Sequence, residues 1–342
     1  MRVCLKDVAE KAGVSIMTVS RAVHNKPGVS KELRLKLLKI ADTMGYVPVR
    51  LAGDYQNRSR TMTIGIVLPH IEHTIFPAML CAAEEVFSNN GYRIFLCCTY
   101  ENSVKEFHDI SALLERQVDG IIWSPATVKE SSRAASIILK QKCPLVFMDR
   151  MIPDINADSV VVDDYEGAYN AVSHLILQGC RRIAHLTSRS ESWVSLERRR
   201  GYQQALLDNS LEISEELIVA AGSDVNSGVC GLEKLLNAEA DMDAVFCFND
   251  PLAIGAYKAL TRKNINIPSE VAVMGFSATF ATEIAAVPIS TVFQDASGIG
   301  RQAAVTLLSR IGNPYSILPA RKQVLSTHLI TRSSTIRNDN YY

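Results

Sequence analysis

From Leu5 the apolar residues Leu5, Val8, Ala9 and Ala12 fall at the i, i+3, i+4, i+7 spacing of one helical face, and Gly13 ends the run. Ser15 can cap a second helix whose apolar stripe is Val19, Ala22 and Val23. After Pro27-Gly28, Ser30 can open a third, with Leu33, Leu37, Ile40, Ala41 and Met44 on one side and Gly45 at its end. Three short helices, the first two joined by a tight Gly turn, predict a helix-turn-helix unit. From Thr63 the pattern changes. Short apolar runs at 64–68, 93–97, 120–123, 145–148, 183–187, 244–248 and 271–275 alternate with amphipathic windows such as 78–88, 103–116, 167–178, 198–207, 227–237, 252–262 and 299–311. Buried strands alternating with helices predict parallel sheets covered on both faces, and the length suffices for two such lobes.

With Val19, Ala22 and Val23 turned inward, Met17, Ser20, Arg21 and His24 project from the opposite face of the second helix, with Ile16 and Thr18 near its start. A polar ridge with few acids suits a DNA major groove, where Arg can pair with guanine and apolar side chains can touch a thymine methyl. Charge strengthens this reading. The chain of 342 residues is neutral overall, but residues 1–60 hold 12 Lys or Arg against 5 Asp or Glu, and the remainder is acidic by the same margin. A basic head on an acidic body points to an anionic partner for the head.

Composition narrows the rest. At 47% hydrophobic and 21% charged residues the chain reads as globular. No window approaches the roughly 18 apolar residues of a membrane span, and the start carries no apolar signal segment, so a cytoplasmic protein is expected. The eight cysteines lack CxxC spacing and mostly lie in apolar runs, which predicts reduced core thiols rather than metal or redox sites.

Ligands of parallel sheets sit beyond the carboxyl ends of the strands. Those positions here include His70, His73 and Phe76, then Asp149 and Arg150, then Asn249 and Asp250, and finally Ser277. The set suits a small polar, hydroxylated ligand held between lobes. A catalytic constellation is not evident: the sequence has no G-x-S-x-G elbow, no phosphate-binding P-loop and no H-E-x-x-H helix. Gly298-Ile299-Gly300-Arg301-Gln302-Ala303 has GxGxxA form, but it comes late and no acid follows about 20 positions on. His70 and His73 have no further His or Cys near them in sequence, so no metal and no cofactor are expected. A periplasmic-type carrier would show an export signal and no helix-turn-helix, against what the sequence contains.

The run LKDVAEKAGVSIMTVSRAVHNKPGVSKELRLKLLKIADTMGYVP resembles the DNA-binding headpiece of the lactose-repressor (LacI/GalR) family, and TIGIVLP, RQVDGIIWSP, VVVDDYEGA, RRRGYQQAL, CFNDPLAIGAYKAL and VAVMGFS resemble its core. The resemblance implies an α/β fold: a two-lobed, periplasmic-binding-protein-like core of parallel sheets behind a small all-α headpiece. It implies boundaries at 1–48 for the headpiece, 49–62 for a hinge and 63–342 for the core. Ile16, Met17 and Arg21 correspond to base-reading positions, and Ser15, Thr18, Ser20 and Asn25 to phosphate or backbone contacts. Tyr55 falls where the family places a minor-groove wedge. Arg198, in the R-x-x-G element ending at Gly201, with Asn249, Asp250 and Asp149, corresponds to effector-binding positions. The implied protein is a repressor that binds a palindromic double-stranded DNA operator as a homodimer and answers to a small effector, a sugar or sugar derivative. The family often has Asp where Ser277 stands, so the effector does not carry over from any relative.

Overall fold

A computed structural model describes residues 5–23, 26–44, 60–72, 75–313 and 319–337. Contacts divide the chain into residues 1–59 and residues 60–342. In the first unit, helices α1 (Leu5–Ala12), α2 (Ile16–Val23) and α3 (Lys31–Thr43) close on a small core of Val8, Ala9, Val19, Ala22, Leu37 and Ala41. The turn between α1 and α2 is made by Gly13, at φ +66°, and by the Val14 amide donating to the Ala9 carbonyl. Ser15 caps α2 through the Thr18 amide at 3.1 Å, and Ser30 accepts from the Leu33 amide at 3.3 Å at the start of α3. Three helices and both hydroxyl caps stand where the apolar spacing put them.

The second unit holds two six-stranded sheets. The first contains β1 (Thr63–Leu68), β2 (Arg93–Cys98), β3 (Gly120–Trp123), β4 (Leu145–Met148), β5 (Asp158–Val162) and, from much later in the chain, β11 (Lys322–Leu325). The second contains β6 (Ile183–Thr187), β7 (Ile218–Ala220), β8 (Ala244–Cys247), β9 (Ala272–Ser277), β10 (Ser290–Phe293) and β12 (His328–Ile330). The strand orders are β11-β5-β4-β3-β1-β2 and β12-β10-β9-β8-β6-β7, the same doubly wound arrangement twice. Every pairing is parallel except β10 with β12.

Helices α4 (Ile75–Asn89) and α12 (Ala296–Gly312) cover one face of the first sheet, α5 (Ser103–Glu115) and α6 (Ser132–Lys140) the other. On the second sheet α7 (Asp164–Leu177) and α8 (Trp193–Asp208) oppose α9 (Val225–Asn237) and α10 (Asp250–Arg262). A short α11 (Phe280–Glu283) follows β9. The chain therefore crosses between lobes three times. Strand β5 feeds α7 on the other sheet, β10 feeds α12 back on the first, and β11 passes to β12. Strand ends from both sheets meet at this junction, where the Ser190 hydroxyl donates to the Ala126 carbonyl at 3.0 Å and the Val128 amide to the Glu191 carbonyl at 3.2 Å.

The cysteine expectation holds only in part. All seven described cysteines are free, but only Cys180 and Cys247 are buried, while Cys81 and Cys230 are exposed. Cys81 and Cys230 lie in helices α4 and α9, so the apolar runs around them are one-sided rather than buried throughout. No described helix is long and apolar enough to cross a membrane.

Candidate functional site

Two surfaces carry the residues of interest. On the headpiece, Val19 and Ala22 are inside, whereas Ser15, Ile16, Met17 and Arg21 are exposed and Thr18 and Ser20 half-exposed. Met17 keeps 63% of its surface open and Ile16 49%. The ridge implied by the helical spacing is present over the described residues. His24, Asn25 and Tyr55 lie outside them.

In the core, a cleft opens where the carboxyl ends of the strands converge. The first lobe supplies His70 after β1, Ile75 and Phe76 from the start of α4, Glu101 beyond β2, and Asp149 and Arg150 after β4. The second supplies Val194 and Arg198 from α8, Ser223 ahead of α9, Phe248 and Asn249 after β8, and Ser277 at the end of β9 with Thr279 beyond it. Gln294, at the crossing from β10 to α12, also lines it. Thus His70, Phe76, Asp149, Arg150, Arg198, Asn249 and Ser277 are brought together, and His73 lies outside the described residues.

Asp250 departs from its expected place. It is fully buried behind the cleft wall, where its carboxylate accepts from the Thr291 hydroxyl and from the Thr279 amide, both at 2.6 Å, tying α10 to the β9 and β10 ends. Its neighbour Asn249 is the N-cap, accepting from the Leu252 amide at 3.0 Å, while the Asn249 amide group donates to the Ser223 carbonyl at 2.8 Å. An N-D dipeptide ahead of Pro251 thus serves the helix start with both members, and only Asn249 also faces the cleft.

Two guanidinium groups dominate the electrostatics. Arg198 sits over Phe276, its Cζ 3.5 Å from the ring centroid, and both Nε and Nη2 stand 2.8 Å from Asp164 Oδ1. It also donates to the Phe248 carbonyl. Burial pushes the Asp164 carboxyl up to about 7 even though Arg198 draws it down. Its second oxygen has no protein partner. Arg150, also buried, makes a fork on Glu101: Nη1 to Oε2 at 2.8 Å and Nη2 to Oε1 at 2.9 Å. Burial by itself would raise Glu101, but Arg150 and the neighbouring His70 outweigh it and hold the carboxyl at about 2. Asp149 is raised by burial, against the pull of Arg150 and Arg198.

The backbone around the cleft is strained. Asp149 (φ +68°), Tyr100 (φ +55°), Glu101 (φ +58°), Ser277 (φ +124°) and Ala278 (φ +55°) all have positive φ without being glycine. Such conformations cost about 1 to 3 kcal/mol each and collect at ligand sites. Glu101, Ser223, Phe248, Thr279 and Gln294 were not among the residues the sequence singled out. Phe248 could have been found as the last apolar residue of its run; Glu101 carries no signal in the spacing.

Residues 4–49 match the family "Bacterial regulatory proteins, lacI family", and residues 172–335 match "Periplasmic binding protein-like domain". The chain is 31% identical over 310 residues to the ribose operon repressor of Haemophilus influenzae, covering 91% of this chain and 92% of that protein. The chain belongs to the lacI family. This lacI-family chain is accordingly a DNA-binding transcription regulator and not an enzyme. Among solved structures it is similar to a transcriptional regulator CelR–cellobiose complex, at 27% identity and a TM-score of 0.73 over 97% of this chain and 100% of that one. It shares the fold of the lac repressor dimer bound to operator and the anti-inducer ONPF, at 22% identity and a TM-score of 0.83 over 98% and 100%.

Proposed function

We propose that this lacI-family regulator represses transcription by binding a palindromic operator as a homodimer, and that a small hydroxylated effector in the interlobe cleft changes its operator affinity. The headpiece is assigned to residues 1–48, the hinge to 49–62 and the effector-binding core to 63–342. Ile16, Met17 and Arg21 read base edges, and Ser15, Thr18 and Ser20 meet the backbone. The observation that carries the DNA half of this reading is the outward ridge on a basic helix-turn-helix unit. One recognition helix reads one half-site, so a two-fold dimer supplies the second. The exposed apolar side chains Phe95 and Leu96 on edge strand β2, with Tyr100 and Val104 beyond it, provide a surface for the second copy.

The cleft half rests on convergence of polar groups from both lobes with aromatic faces between them. A ligand held by Asp149 on one lobe and by Arg198 and Asn249 on the other binds the closed arrangement better than an open one. That difference is what a ligand needs to shift an equilibrium, and about 1 to 3 kcal/mol of coupling is ordinary. A sugar or sugar derivative is the favoured class, in line with the names of the ribose operon repressor and the cellobiose complex.

The test begins with a thermal-shift screen of sugars, since a ligand of the folded core raises its melting temperature by mass action. The active sugar is then applied to operator complexes of the wild type and of the double variant Asp164→Asn, Arg198→Gln. Removing both members of the buried pair leaves no unpaired charge. The variant is expected to keep operator binding and lose the effector response; an undiminished response would move the ligand out of this cleft.

A further inference from the structure

We propose that Glu101 is a built-in counter-anion for Arg150, which makes the cleft accept uncharged hydroxylated ligands and refuse phosphorylated or carboxylated ones. The inference rests on the effector-site reading of the cleft and deepens it by naming the ligand's charge class. Two cations face the cleft, and an anionic ligand would need one of them. Both are already committed. The fork of Arg150, the geometry that captures phosphate and carboxylate, is filled by both oxygens of Glu101 at 2.8 and 2.9 Å, and Nη1 reaches the Pro125 carbonyl at 3.4 Å as well. Arg198 is held by Asp164 and the Phe248 carbonyl.

The placement of Glu101 is built rather than incidental. Tyr100 and Glu101 are consecutive non-glycine residues in the left-handed region, and this turn carries the chain from the edge strand back over the strand ends to Arg150. With Arg150 on one side and His70 Nε2 at 3.5 Å on the other, the carboxyl stays ionised through the physiological range. An incoming phosphate would have to displace a carboxylate already ordered within the fold and then sit beside Glu101, with Asp149 also lining the cleft. Hydroxyl groups meet no such obstacle. They find acceptors still open, such as Gln294 Oε1, which has no protein partner, and Asp149, whose nearest guanidinium nitrogen, Arg150 Nε, is 3.8 Å away.

The experiment uses the full chain and inorganic phosphate as probe, measured by calorimetry against chloride at matched ionic strength. Wild type is expected to show no saturable phosphate binding at millimolar concentration. Glu101→Gln keeps the side-chain shape and removes the charge, and it is expected to gain phosphate affinity by roughly tenfold or more, the scale of one charge-assisted hydrogen bond. The gain should vanish when Arg150→Gln is added to Glu101→Gln. Glu101→Ala serves as a second variant, with circular dichroism showing that each is folded. Saturable phosphate binding by the wild type that Arg150→Gln removes would overturn the proposal, and so would folded Glu101 variants that gain nothing. The two readings fail differently. Phosphate binding by the wild type through Arg150 leaves the cleft a ligand site, whereas an effector response that survives loss of Arg198 and Asp164 leaves the Glu101 result standing.

Discussion

His185, on β6, shows how one residue sets a measurable property of the whole core. It is fully buried between Tyr202 and Phe246, with ring centroids at 4.9 and 5.1 Å, and its Nδ1 lies 3.0 Å from the Phe246 carbonyl. Burial drives its pKa down to about 4 from an ordinary 6.5, partly offset by that carbonyl. The folded state therefore binds fewer protons than the unfolded one between these values. The stabilisation is complete above pH 6.5 and is lost as pH falls towards 4. Wild type is expected to lose about 2 kcal/mol more than His185→Gln between pH 7 and pH 5, read by urea unfolding at both. Equal losses would show that folding leaves the proton affinity of His185 unchanged. The residue scale also shows what sequence could reach. Arg198, Asn249 and Asp149 are recognisable because they sit at strand ends or in short motifs. Glu101 is not, because it enters the cleft through two left-handed residues that are neither Gly nor Asn.

At the scale of elements, the GxGxxA run that could suggest a dinucleotide loop has a packing explanation. Gly298 donates its amide to the capping carboxylate of Asp295 at 2.8 Å, and Gly300 lies against α4, where a Cβ would come 2.0 Å from the Met79 carbonyl oxygen. These glycines let α12 open and press against α4. Gly300→Ala is expected to cost about 1 to 3 kcal/mol by forcing the helices apart, while Gly312→Ala, with open space around it, should be neutral or slightly stabilising. Thermal unfolding of the pair checks this; equal melting temperatures would mean that α4 yields freely. The seven strands expected from apolar runs are all present. Strands β5, β7, β10, β11 and β12 were not read, for a shared physical reason: they are short or polar. Strand β5 opens on Asp158, whose buried carboxylate is satisfied by Arg310, and β10 opens on Ser290 and Thr291, whose hydroxyls bond to Arg332 and Asp250. Strand β7 has three residues, and β11 and β12 have four and three. Side-chain bonds from other elements replace the apolar continuity that a sequence reading relies on.

For the molecule as a whole, two lobes were legible from the length of the alternating region, but not which helix belongs to which. The crossings after β5, β10 and β11 place α7 against the second sheet and α12 against the first, so each lobe is completed by chain that has crossed from the other. This connectivity suits the proposed core that responds to a ligand, and in that proposal the basic headpiece is what the response acts upon. In the proposed function this headpiece reads DNA sequence, in duplicate. The most direct measurement is selection from a random DNA pool with the full-length protein, followed by sequencing. The account predicts an enriched two-fold symmetric motif with half-site centres about one helical turn apart, and loss of preference at one base position per half-site, worth about 1 to 3 kcal/mol, in Arg21→Ala. A pool that shows no enriched sequence would contradict it.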